Sequence, residues 1–309
     1  MRIHLFKYLI IGICIVNCQH KENKLIKQEK LISIAEGFDL YVETYGDVGN
    51  EACLFIAGAG ANSSFWSDKL CNDLVEEGFF VIKYDHRDFG YSSKVDWETN
   101  PYDFMQLAKD AVSILDRLNV KEAHVIGHSM GGFIVQLLGI HYPERIISMT
   151  CISSSTNSPN IPPPPEKTWE IFLSNTPKND FEKDLDSFLY VWEYLNGTAD
   201  FDKELAIEYT KNLYARQPID GALGANHVKA QETLTDRTEQ LMQINIPALV
   251  MHGEEDYIVD QFAAKQTAEA IKVAKLVLIP KMGHLPFNHE ILARFEDEII
   301  QFIAQNKKR

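Results

Sequence analysis

Gly127, His128, Ser129, Met130 and Gly131 form a GxSxG pentapeptide between an extended apolar run, 124–126, and a longer apolar run, 133–140. A serine held on a sharp strand-to-helix turn presents its hydroxyl as a nucleophile. The alternative is a serine in an ordinary glycine-rich turn, but the flanks favour the nucleophile: His124, Val125 and Ile126 suit a strand, and Phe133, Ile134, Val135, Leu137, Leu138 and Ile140 suit a buried helix. Gly127 and Gly131 relieve the crowding such a turn creates.

A serine hydroxyl is a weak nucleophile at neutral pH, so it needs a base, and the base needs a carboxylate to orient it. Of the ten histidines, His4 and His20 lie near the N-terminus, His141 ends a helical run and His289 opens another. His284 instead follows the strand-like run 274–279 in the loop Pro280, Lys281, Met282, Gly283, where a C-terminal base belongs. The acid should leave the preceding strand, 247–251, which runs into His252, Gly253, Glu254, Glu255 and Asp256. Asp256 is the candidate, with Glu254, Glu255 and Asp260 as rivals; Asp260 stands closer to the start of the helix expected over 261–271 and suits its N-cap.

The tetrahedral intermediate carries a negative oxygen, which backbone amides stabilise by about 3–4 kcal/mol each. One amide should belong to the residue after the nucleophile, Met130. The other should lie in the loop after an earlier strand, where 52–56 leads into Ala57, Gly58, Ala59, Gly60, Ala61 and Asn62. Small residues let that backbone approach the substrate oxygen, and Ala59 is the candidate, with Gly60 the alternative.

These residues need elements to hold them. Strand candidates at 38–45, 52–58, 79–85, 122–128, 146–152, 247–252 and 274–280 alternate with helical stretches. The clearest helix is 102–118, with Phe104, Leu107, Ala108, Ala111, Ile114, Leu115 and Leu118 on one apolar face. Such alternation predicts a doubly wound, mostly parallel α/β sheet with active loops at the C-terminal ends of its strands, where all three candidates sit. The pattern breaks over 156–235. The proline-rich run 157–165 predicts a stiff linker, and Trp169, Phe172, Phe181, Phe188, Tyr190, Trp192, Tyr194, Phe201, Tyr209 and Tyr214 follow among helical patterns. We expect a helical cap over the catalytic loops, its aromatics mostly packing cap onto core, some lining an apolar pocket. The core would then comprise 31–155 and 236–309.

From about residue 38 to 304 the chain resembles the α/β-hydrolase superfamily, with Ser129, Asp256 and His284 on the triad positions; the pattern of Gly253, two residues, then Asp256 is what singles out that acid. Within the superfamily, Tyr84 to Ser93 (YDHRDFGYSS), Asn100-Pro101-Tyr102 and Ala123 to Gly127 are similar to the aclacinomycin methylesterase family. Gln217-Pro218-Ile219-Asp220 and Met282-Gly283-His284 extend the likeness. Ala57-Gly58 departs from the His-Gly common in the oxyanion loop. The resemblance implies that the Asp85–Ser93 run, rich in Asp, His and Arg, braces the nucleophile turn rather than holding a metal. It implies no anthracycline substrate, because substrate identity follows the cap.

The N-terminus concerns address. Arg2 and Lys7 precede an apolar run, 8–16, too short to span a bilayer comfortably, which resembles a secretory signal. Ile15, Val16, Asn17 and Cys18 then resemble a relaxed bacterial lipobox, with Asn17 in place of the usual small residue. The expectation is an exported protein with residues 1–30 as leader and polar tether, anchored through a lipidated Cys18; a soluble secreted or periplasmic form is the alternative. Those thirty residues carry +4 of a net charge of −14, leaving −18 on the rest, which argues against a nucleic-acid partner. Of five cysteines, Cys14 and Cys18 lie in the leader, and Cys53, Cys71 and Cys151 are expected as buried free thiols.

Together these features predict a serine hydrolase that cleaves a small-molecule carboxylic ester through an acyl-enzyme and needs no metal or organic cofactor. A lactonase or peptidase on the same fold, and a surface-anchored binding protein without catalysis, are the alternatives. An Asp-nucleophile dehalogenase or epoxide hydrolase is disfavoured by Ser129 at the nucleophile position.

Overall fold

A computed structural model describes residues 27–178, 180–216 and 225–308. The leader with Cys14 and Cys18, and the run Gln217 to Asp220, lie outside the described residues. The strands are β1 (Lys27–Ala35), β2 (Phe38–Tyr45), β3 (Glu51–Ile56), β4 (Phe79–Tyr84), β5 (Ala123–His128), β6 (Ile146–Ile152), β7 (Ala248–Gly253) and β8 (Ala274–Ile279). They form one sheet in the order β1-β2-β4-β3-β5-β6-β7-β8. β1 and β2 pair antiparallel, as do β2 and β4; every other neighbour is parallel. The strand order reverses between β3 and β5, which opens a crevice at their C-terminal ends.

The helices are α1 (Asp68–Glu76), α2 (Phe104–Arg117), α3 (Met130–His141), α4 (Glu166–Ser174), α5 (Phe181–Leu195), α6 (Lys203–Arg216), α7 (Ala225–Gln231), α8 (Thr238–Leu241), α9 (Gln261–Ala270) and α10 (His289–Gln305). Two apolar clusters cover opposite faces of the sheet. α2 and α3 build one with Phe104, Leu107, Ile114, Ile134 and Leu138, and α1 and α10 build the other with Leu70, Leu74, Phe295, Ile299 and Ile303. The central strands β4, β5, β6 and β7 are buried along their whole length. They therefore read as near-continuous apolar runs, as strands covered on both faces do.

The expected strands form within two residues of the bounds read from the sequence, and β1 is added to them. Its first residues fall in the polar run assigned to the tether, so the chain enters the sheet at Lys27 rather than after Lys30. β1 is an edge strand with eight of nine residues outside the core. Ladder hydrogen bonds to β2, not an apolar face, define it.

Between β6 and β7 the chain forms α4 to α8. Ile171, Leu189, Val191, Leu195 and Ala206 make a third apolar cluster with Leu285 and Phe287, just past His284. Most aromatics there pack as expected: Trp192 contacts the Phe188, Tyr209 and Phe287 rings and donates its indole N–H to Thr210 Oγ1 at 2.9 Å. Trp169 and Tyr190 are half exposed. Among the described residues no helix is long and apolar enough to cross a membrane.

Candidate active site

β5 ends at His128, and Ser129 turns the chain into α3 with φ 53° and ψ −115°. This backbone is strained for an L-residue and persists only where its surroundings enforce it. The Ser129 N–H donates to the Ile152 carbonyl at 2.8 Å, and the Ser129 carbonyl accepts from Gly132 N–H at 2.9 Å. The glycines leave no alternative. A Cβ on Gly127 would stand 2.2 Å from the Gly131 carbonyl oxygen, and one on Gly131 would stand 2.2 Å from that of Ile56. A Cβ on Gly132 would meet the Ser154 side chain at 2.5 Å.

The same approach brings in the loop after β3. A Cβ on Gly58 would lie 3.3 Å from Ser129 Cβ, so this backbone flanks the serine. Ala59 is exposed and Met130 is the buried first residue of α3. Among the described residues neither amide N–H has an acceptor. Two unengaged donors thus flank Ser129, and the α3 N-terminus adds its positive dipole end.

His284 Nδ1–H donates to Asp256 Oδ2 at 2.7 Å, which leaves Nε2 as the basic nitrogen. Asp256 Oδ1 accepts the Ile258 and Val259 N–H groups at 2.8 and 2.9 Å. Burial alone would raise the Asp256 pKa, but His284 and His252 outweigh it and hold the carboxyl well below the usual range. Asp260 takes the other role expected of a carboxylate here, capping α9 through the Phe262 N–H at 2.8 Å. Glu255 accepts from Thr198 N–H and Glu254 is exposed, so neither rival faces His284. Ser129 Oγ is half-buried and makes no hydrogen bond among the described residues; such contacts commonly tighten only once substrate is bound.

The loop carrying His284 is tied to α5. Gly283 and Leu285 N–H groups donate to the Asn196 and Leu195 carbonyls at 2.9 and 3.0 Å. His128 Nε2–H donates to the His284 carbonyl at 2.9 Å, and its ring stacks on Phe65. Burial, then the neighbouring His284, pushes the His128 pKa down to about 3, so the ring is a neutral brace.

The Asp85–Ser93 run serves as a brace, chiefly of the loop after β3 rather than of the Ser129 turn. His86 Nε2–H donates to the Ala57 carbonyl at 3.0 Å, and Asp85 Oδ1 accepts Ser63 N–H at 2.8 Å. Arg87 grips Asp110 of α2 with two bonds of 2.7 Å. Among the described residues no three His, Cys, Asp or Glu side chains gather to hold a metal ion. Arg216, at the end of α6, reaches Ser63 Oγ at 2.6 Å, Asp85 and the buried Glu43. His86 falls in the run that the resemblance marks as a brace, whereas His128 and Arg216 carry no such signal because each acts on a partner more than a hundred residues away.

A cavity of about 590 Å³ lies beside the site between α6 and the core. Phe65, Leu205, Tyr209, Leu285 and Phe287 line its apolar side, and Phe65 separates it from His128. Cys53, Cys71 and Cys151 are buried free thiols, and burial raises the pKa of each.

Comparison with known proteins agrees with the fold. Residues 52–289 match the family model of the alpha/beta hydrolase fold. Rhodomycin D methylesterase DnrP of Streptomyces peucetius is 30% identical over 284 residues, covering 82% of this chain and 92% of that protein. The bifunctional esterase/perhydrolase DCH of Acinetobacter calcoaceticus is 26% identical over 268 residues, covering 82% and 92%. Among solved structures, a thermophilic esterase from Thermogutta terrifontis superposes with a TM-score of 0.70 at 20% identity, covering 91% of this chain and all of that one. By its family match and by its identity to these relatives, the chain belongs to the α/β-hydrolase fold family.

Proposed function

We propose that the protein hydrolyses carboxylic esters through Ser129, His284 and Asp256. The observations that support this are a serine in a forced left-handed turn at the end of β5 and, past the end of β8, a His284 whose Nδ1–H donates to Asp256 at 2.7 Å. The names of the relatives support an ester with a small alcohol, since two of them are methylesterases.

Ser129 Oγ attacks the ester carbonyl carbon while His284 Nε2 takes its proton. Asp256 stays ionised, fixes the tautomer that leaves Nε2 free, and stabilises the imidazolium. The oxyanion is held by the Met130 and Ala59 amides, at about 3–4 kcal/mol each. As the intermediate collapses, the C–O bond breaks and His284 returns the proton to the departing alkoxide, releasing the alcohol. Water then attacks the acyl-enzyme with His284 again as base, and the carboxylic acid leaves with Ser129 restored. One ester and one water give one acid and one alcohol, with no redox step.

A panel of p-nitrophenyl esters from acetate to decanoate, with fluorophosphonate labelling, tests this. Turnover and labelling should both vanish in Ser129→Ala, and turnover should fall by about 10³-fold or more in His284→Ala. A wild-type protein that is neither labelled nor active on the panel refutes the proposal and favours a binding role.

A further inference from the structure

His252 is the penultimate residue of β7, is fully buried, and has no part in the mechanism above. Its Nε2 lies 2.7 Å from the Val259 carbonyl and 3.3 Å from Asp256 Oδ2. Both atoms are acceptors, so Nε2 must carry the proton. Its Nδ1 is buried and has no partner among the described residues. Leaving a ring nitrogen unpaired in the interior is destabilising, which an apolar side chain at this strand end would avoid. What the imidazole contributes in return is the shared Nε2–H.

That hydrogen closes the turn that carries the acid. Asp256 Oδ1 is fixed by the Ile258 and Val259 amides, and the Val259 carbonyl is fixed by His252. Oδ2 is left between two imidazoles, His284 and His252. The frame around them is rigid: a Cβ on Gly253 would stand 2.3 Å from the carbonyl oxygens of both Met282 and Gly283. We propose that His252 is a positioning residue for the triad, its Nε2–H donating to Asp256 Oδ2 so that the carboxylate is aimed at His284 and shares its charge between two donors.

This rests on the assignment of Ser129, His284 and Asp256 as the triad. The titratable groups that face the pair are His252 from β7, His284 itself and His128 from β5, whose ring centroid lies 4.8 Å from that of His284. Glu255, in the same turn, points to Thr198, and Glu254 to solvent. Losing the second donor concentrates the carboxylate charge on His284, which stabilises the imidazolium and raises the pH at which the base becomes available.

The test is the pH profile of kcat/KM on p-nitrophenyl butyrate for wild type, His252→Met and His252→Gln, with rates normalised to sites labelled by fluorophosphonate. Met removes the donor; the Gln amide keeps one at nearly the Nε2 position. His252→Met should lose about tenfold at neutral pH, the low end for a hydrogen bond to a charged group. Its acid limb should move up by about half a pH unit, and His252→Gln should restore both limb and most of the rate. A wild-type profile in His252→Met overturns the positioning role, and so does an equal loss in both variants with the acid limb unmoved, which marks His252 as packing only. Wild-type turnover in Ser129→Ala overturns the triad and this role with it, so the two failures are distinguishable.

Discussion

The buried histidines make the fold acid-labile by an amount the structure sets. His86, His128 and His227 are each at most 3% exposed, and burial is the largest cause that pushes their pKa values down to about 4, 3 and 3. Each ring uses Nε2–H on a carbonyl: His86 on Ala57, His128 on His284, His227 on Arg87. In the unfolded chain the same rings titrate near ~6.5. Between the two values these three rings bind three protons in the unfolded state that they do not bind in the native state, so their stabilisation rises with pH there and is lost on acidification through the unfolded pKa; His124, its pKa also lowered by burial, acts in the same direction. The limiting slope is about 1.4 kcal/mol per pH unit for each proton, or about 4 for three, and the integrated loss from pH 7 to 5 is about 6 kcal/mol. That equals much of the ~5–15 kcal/mol that stabilises a typical domain. Glu43 and Asp68, whose pKa values are lowered by Lys83, Lys27 and their other partners despite burial, add a further loss at lower pH, and Glu296, raised by burial, opposes it weakly. Urea unfolding followed by tryptophan fluorescence at half-unit steps from pH 8 to 5 gives the slope directly. Replacement of His227 by Gln, which keeps an amide donor for the Arg87 carbonyl, should remove about one third of it. A proton difference below about one between pH 6 and 5, or an unchanged slope in His227→Gln, would show that these rings are not held neutral by burial.

Gly131→Ala forces a Cβ to 2.2 Å from the Ile56 carbonyl oxygen; it should cost about 1–3 kcal/mol in unfolding free energy and displace the Ala59 amide, so that kcat falls more than KM rises. Arg87→Met leaves the buried Asp110 carboxylate without its two 2.7 Å bonds and should destabilise the protein by about 3–5 kcal/mol in urea titration, with the esterase pH profile unchanged for the folded fraction. A lipid on Cys18, as proposed from the leader, requires the full-length protein to partition into the detergent phase of a Triton X-114 extraction and Cys18→Ser to move to the aqueous phase. Equal partitioning of the two excludes that anchor.

What local patterns carry was legible in the chain. The strand, the GxSxG turn and the apolar helix are contiguous, and Gly127 and Gly131 are required by backbone approaches within the turn and to β3. Central strands buried on both faces and the amphipathic α2 announce themselves by apolar content and period, so the doubly wound sheet followed. β1 did not, because an exposed edge strand has no apolar alternation and is defined by hydrogen bonds to β2 alone. Spacing alone leaves four carboxylates and the family resemblance favours Asp256; the fold sets Asp256 Oδ2 against His284, 28 residues away, and gives Asp260 to the α9 cap.

By itself the sequence singled out the candidate nucleophile, the order of the candidate triad and the sheet that presents it, since these follow from residue type and short-range spacing. Only tertiary structure decided which carboxylate faces His284 and what holds the loops still: the Leu195 and Asn196 carbonyls behind His284, and His86 under Ala57. Those contacts join segments whose separation along the chain carries no periodic signal, so packing alone brings them together.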